Sequence, residues 1–185
     1  HISGPLTVRV RTYVSWKQGM LKKQEHDKEV FQILSTQLMV DLLEEIRSPI
    51  LEAHAFFHGL CLVCPKVVRL LCHKAMASVW PAPGEVVFST GDSPAMMYFV
   101  TRGQLMYRIV HVRSLGAMSI PTSFQWARKG GHSVVKHQIS SGQYLSEATL
   151  WSAWVHRGDL SVASRDATLC RMDAAVFGQV VSEFP

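Results

Sequence analysis

The sequence has no uninterrupted apolar run of the roughly 18 residues that a membrane-crossing helix requires, so no segment is expected to span a bilayer. It has no block of like charges and no Ser/Gly/Pro tract, which removes extended disorder from the expected classes. Phosphate loops, nucleophile elbows and His-Glu-x-x-His pairs are all missing, so no catalytic residue is expected and the chain reads as a non-enzyme. Seven of its nine histidines, His54, His58, His73, His111, His132, His137 and His156, are scattered over segments of different kinds, and most read as exposed or satisfied side chains. Cysteine is scarce. Cys61, Cys64, Cys72 and Cys170 form no disulfide framework and are expected as free thiols in a reducing compartment. Cys61 and Cys64 make a CxxC near His54, His58 and His73, but a structural zinc site shows a second ligand pair at similar spacing, and no metal is expected. There is neither an initiating Met nor a signal segment, so the chain reads as a piece of a longer protein.

What is present is a chain of 185 residues, 48% hydrophobic, enough for one core and a helical extension. Part of the net charge of +5 comes from Arg9, Arg11, Lys17, Lys22 and Lys23. Two readings are open for this cluster: a solvated helix face, the ordinary role of such a run, or a surface for anionic lipid or an acidic partner. Aromatic residues do not interleave with the basic ones, and no nucleic-acid partner is expected. Trp80, Trp126, Trp151 and Trp154 are expected in core or interface packing.

The first half has helical spacing. Phe31, Leu34, Leu38, Leu42 and Ile46 form a stripe opposed by Asp41, Glu44 and Glu45, and Ser35-Thr36 carries N-cap chemistry, so two helices are expected to meet near residue 35. Pro49 permits a break. Pro65 suits a first helical turn, and Val68, Leu71, Cys72, Ala75 and Val79 extend a helix over 65–79.

From Trp80 the period shortens. Strands are expected at 85–88, 97–100, 104–112, 133–139, 159–164 and 167–172, with turns at 81–84, 90–93 and 102–103. Residues 114–132 interrupt them as a long surface loop. Asp173 is positioned to cap a final helix carrying Val176, Phe177, Val180 and Val181. The spacing therefore indicates an α+β chain, helices followed by a small antiparallel β-sandwich or barrel and a closing helix.

The run Pro83-Gly84-Glu85-Val86-Val87-Phe88, then Gly91-Asp92, Met97-Tyr98-Phe99-Val100, Gly103 and Leu105, resembles the front half of cyclic-nucleotide-binding domains. Tyr144-Leu145-Ser146-Glu147-Ala148-Thr149-Leu150 is similar to that family's Phe-Gly-Glu segment, and 159–177 to its closing portion. Trp16 with its basic stretch, Leu34-Ser35, Leu38-x-x-Asp41-Leu42 and Arg47-x-x-Ile50-Leu51 resembles the C-linker helices of cyclic-nucleotide-gated, hyperpolarization-activated and ether-à-go-go-type channels. The resemblance implies an α+β fold with a helical, C-linker-like N-terminal segment at 1–50 and, at 51–185, an antiparallel β-roll, a jelly-roll-like double-stranded β-helix with flanking helices. The chain stops at Phe184-Pro185, where the family continues into a helix that lids the nucleotide.

By resemblance the candidate ligand site comprises Leu145, Ser146, Glu147, Ala148, Thr149, Arg157, Gly158 and Asp159, with cAMP or cGMP as the ligand. Glu147 would receive the ribose hydroxyl, and Ser146 and Ala148 would lie near the amides that meet the phosphate. The family's phosphate-binding arginine lies four residues before a strand valine. Counting back from Val162 reaches Gly158, with Asp159 where a small hydroxyl residue is usual, Arg157 one place too early, and Ser146 in the glycine's place. A charged hydrogen bond contributes about 1.5–3 kcal/mol, so its loss weakens binding by about one to two powers of ten. A backbone slip bringing Arg157 inward is the route by which the site would be rescued.

The expected function is that of a regulatory domain on the cytoplasmic face of a membrane, in a cation channel of the potassium type. It would sense cyclic nucleotide or act as a degenerate, ligand-free gating module. Its partners would be the pore domain and neighbouring subunits of a homo-tetramer. The alternative is a cyclic-nucleotide-binding regulatory domain of a soluble signalling protein such as a kinase regulatory subunit, which the β-roll supports equally.

Overall fold

The computed structural model describes residues 3–112 and 132–184. The loop expected at 114–132 lies outside the described residues apart from His132, which already belongs to a strand. Four helices come first: α1 (Gly4–Ile33), α2 (Thr36–Glu52), α3 (Ala55–Val63) and α4 (Pro65–Leu70). The break between α1 and α2 falls at the expected cap, where the Ser35 hydroxyl accepts from the Leu38 amide at 3.3 Å. The expected stripe is corrected. Leu38 and Ile46 are exposed, and α2 instead buries Leu43 and Leu51, with Arg47 half-buried. α1 leaves Leu6, Val8, Val10 and Leu21 exposed. Among the described residues no single helix is long and apolar enough to cross a membrane.

The helix expected to run to residue 79 ends earlier. α4 passes into a π-turn over Leu71–Ala75, and Met76–Val79 is strand β1. The reason is tertiary: Met76 to Val79 pair with the strand Thr168–Asp173, and the Arg47 guanidinium donates to the carbonyls of Cys72 and Met76, the latter at 2.7 Å. A widened turn frees carbonyls from the helical ladder, and the buried guanidinium satisfies them. Arg69 ties α4 to α2 through Asp41 and Glu44, the latter at 3.1 Å.

The remaining strands are β2 (Val86–Phe88), β3 (Met96–Arg102), β4 (Gln104–Val112), β5 (His132–Ser140), β6 (Tyr144–Leu145), β7 (Asp159–Val162) and β8 (Thr168–Asp173), followed by α5 (Ala174–Ser182). They form two antiparallel four-stranded sheets, ordered β1-β8-β3-β6 and β2-β7-β4-β5. Phe88, Val100, Leu105, Leu160, Val162 and Leu169 fill the space between the sheets. The outer face of the first sheet, through Met97, Phe99, Cys170 and Met172, packs against Leu51, Phe57, Val68, Leu71 and Phe177 of the helices. Period-2 alternation divides each strand of that sheet between the two cores. Asp173 caps α5 as expected, accepting from the amides of Ala175 and Val176 at 2.9 and 3.0 Å. All four cysteines are free thiols, and burial pushes Cys72 up to about 12 and Cys170 up to about 11.

The β3–β4 corner shows what the glycine spacing encodes. Gly103 has φ +81°, and a Cβ there would lie 2.8 Å from the Ala167 Cα, so neither the backbone angle nor the space admits a side chain.

Candidate functional site

β6 leads into Ser146 and a short 3-10 helix, Glu147–Leu150. Ser146 adopts φ +62° and ψ +27°, a left-handed backbone that favours glycine, although the residue carries a Cβ. Thr149 Oγ1 donates to the Pro94 carbonyl at 2.9 Å and fixes this turn to the β2–β3 loop. Leu145, Ser146, Glu147, Ala148 and Thr149 therefore form one continuous, half-exposed segment, as the sequence placed them.

Glu147 already has a neighbour. Its Oε1 lies 3.2 Å from Nε2 of His54, a side chain only 4% exposed although it belongs to the link between α2 and α3. His54 Nδ1 accepts from the Phe56 amide at 3.2 Å and so caps α3, which places the proton of the neutral ring on Nε2. No hydrogen bond meets Nε2, so the approach to the carboxylate is close but not aligned. The ring also packs on Tyr144, centroids 4.3 Å apart, and on Phe57 at 5.2 Å. Trp151, just after the 3-10 helix, meets Phe56 and Phe177 edge-on at 4.8 and 5.2 Å.

The far end of the segment is arranged differently. Gly158 is buried, and a Cβ there would lie 2.5 Å from the Arg108 carbonyl oxygen and 2.8 Å from the Tyr107 ring. At Gly158 there is thus no room for a side chain. Arg157 is exposed, with its guanidinium carbon 5.8 Å from the centroid of the Trp154 ring, and no ion pair joins it to Glu147. The inward swing of Arg157 is not the arrangement observed. Asp159 turns to the β2–β3 turn, accepting from the Thr90 amide at 2.8 Å and the Thr90 hydroxyl at 3.0 Å, bonds that hold its carboxyl below the ordinary carboxylate value.

Near the far end, aromatic rings gather around Phe88 at one side of the core. Phe88 stacks on His156 and meets Tyr98 and Tyr107 at 6.0 and 6.2 Å. His156 also exchanges backbone hydrogen bonds with the Gly91-Asp92 turn, at 2.8 and 3.0 Å. Gly91-Asp92 thereby locks the exit of the cassette. Of the core or interface packing expected for the tryptophans, core packing does not hold for Trp151 and Trp154, which are 50% and 37% exposed, while Trp151 packs between α3 and α5. His54, Tyr107 and Thr90 complete the site without any sequence signal, because each arrives from another element through folding.

No family model matches the sequence, and no curated protein matches it. A solved structure of a cyclic nucleotide-binding-like protein from Brucella abortus is similar over 73% of this chain and 97% of that one, with a TM-score of 0.51 at 19% identity. The chain has a cyclic-nucleotide-binding-like fold, an α+β β-roll with flanking helices.

Proposed function

We propose that this cyclic-nucleotide-binding-like fold serves as a non-enzymatic regulatory module that has kept the form of a nucleotide sensor and works without a bound nucleotide. The observation that carries this reading is the closed space at Gly158, the position that the sequence resemblance aligns with the phosphate-binding arginine: the Tyr107 ring and the Arg108 carbonyl leave no room for a side chain there. A cyclic phosphate would lose its guanidinium partner at that position. Arg157 is held over Trp154 at the surface, and Asp159 adds negative charge beside the cassette. Two like charges about 5 Å apart repel by roughly 3 kcal/mol at an effective dielectric near 20, so Asp159 opposes an anion in addition to the missing contact.

The wider setting we propose is the cytoplasmic face of a potassium-type cation channel. There, α1 and α2 would act as the linker to a pore domain and as contacts with neighbouring subunits of a homo-tetramer. Support comes from the C-linker-like pattern of residues 16–51 and from the exposed apolar residues of α1, which suit a helix that packs against something else.

Calorimetric titration of the full-length protein with cAMP and with cGMP tests the first part, with no saturable heat expected up to millimolar ligand. Micromolar binding that Glu147→Ala abolishes would overturn it. Patch recording of the full-length protein tests the second, and a full-length chain with no pore-forming helices would refute the channel setting.

A further inference from the structure

We infer that His54 is a positioning residue that engages one oxygen of the Glu147 carboxylate from the buried side and thereby clasps the cassette to the helical layer. The inference rests on the reading of residues 145–159 as the ligand cassette. The geometry is specific. The imidazole is almost wholly buried, yet its Nε2 has no hydrogen-bond partner and lies 3.2 Å from the Glu147 carboxylate. A buried N–H without an aligned acceptor is costly, and a negative charge 3.2 Å away offsets part of that cost through electrostatic attraction rather than through a hydrogen bond.

The clasp joins two elements that share no strand pairing. On one side His54 caps α3 through Nδ1, so any displacement of the ring is felt at the first turn of that helix. On the other, Glu147 opens the 3-10 helix, and the preceding Tyr144 lies against the same imidazole. Trp151 continues the seam onto Phe56 of α3 and Phe177 of α5. The cassette is therefore held in one position relative to the helices by a side chain of the protein itself. Whatever draws Glu147 away, a ligand or a partner, must also release His54 and so reach α3.

Hydrogen–deuterium exchange of the amides in 147–151 tests this without nucleotide. His54→Asn keeps an N-cap acceptor for the Phe56 amide and removes Nε2, whereas Glu147→Gln removes the carboxylate charge and leaves the cap of α3 untouched. Each is expected to speed exchange of the segment by roughly tenfold, and the double variant no further than either single one. Unchanged exchange in Glu147→Gln, or effects that multiply in the double variant, would overturn the clasp. Nucleotide titration of the unaltered protein is a separate readout. Micromolar binding would defeat the ligand-free reading while the exchange result still judged the clasp.

Discussion

The imidazole of His156 lies flat on the ring of Phe88, with centroids 3.6 Å apart and planes 3° from parallel. The stack sits where β2 meets the exit of the cassette, and His156 is only 5% exposed. Burial holds its pKa below the ordinary histidine value, against a smaller opposing pull from Asp92.

That depression has a pH consequence. Unfolded, His156 titrates near 6.5, its ordinary value of about that size, and in the folded protein it titrates lower. Between the two values the unfolded chain binds more protons than the native one, so stability falls on acidification. The contribution is intact above the ordinary histidine value and is lost as pH drops from about 6.5 towards the depressed folded value. His156→Phe preserves a ring on Phe88 and removes the titration. Urea unfolding from pH 7.5 to 5 is expected to show a flatter pH dependence in this variant, and an unchanged slope would refute the assignment.

Gly158 is the second position where packing makes a definite demand. Gly158→Ala is expected to cost about 2–3 kcal/mol, because the new methyl meets a backbone carbonyl and the half-buried Tyr107 ring, and the carbonyl in particular does not yield cheaply. Gly158→Arg is expected to destabilise by at least as much and to create no cAMP or cGMP binding, since the guanidinium has no space in which to turn inward. Denaturant midpoints read the first effect and calorimetry the second. An arginine variant of normal stability with micromolar nucleotide affinity would show that the ring and carbonyl do not close the site.

At Ser146 the sign reverses. A left-handed backbone costs a residue with a Cβ roughly 1–2 kcal/mol, and glycine escapes that cost while losing more chain entropy on folding. Ser146→Gly is expected to stabilise by about 0.5–1 kcal/mol, and Ser146→Val to destabilise by about 1 kcal/mol or more. Thermal unfolding of both variants checks the pair, and a loss of stability in the glycine variant would contradict the strain.

Much of the architecture was legible along the chain, because each legible feature depends on a few adjacent residues. Gly84, Gly91 and Gly103, the glycines that carry the family resemblance, all sit at positive φ. Ser35 and Asp173 cap the helices that follow them, and β4 spans the expected 104–112. β1 was not legible. Met76-Ala77-Ser78-Val79 continues the helical spacing of α4, and only the β8 partner and the Arg47 guanidinium turn it into a strand. β6 was missed as well, since a two-residue strand carries no period.

The site divides in the same way. The place of Glu147, the absence of an arginine at 158 and the substitution of the glycine by Ser146 are all properties of the linear order, because local backbone geometry depends on neighbouring residues. What surrounds them is not. His54 beside Glu147, the Tyr107 ring against Gly158, Thr90 on Asp159 and Arg157 lying out over Trp154 were settled by folding. Apart from the Arg157–Trp154 contact, which is local in sequence, these pairs join residues from separate elements, and burial of the two cores, rather than any pattern along the chain, brings them together.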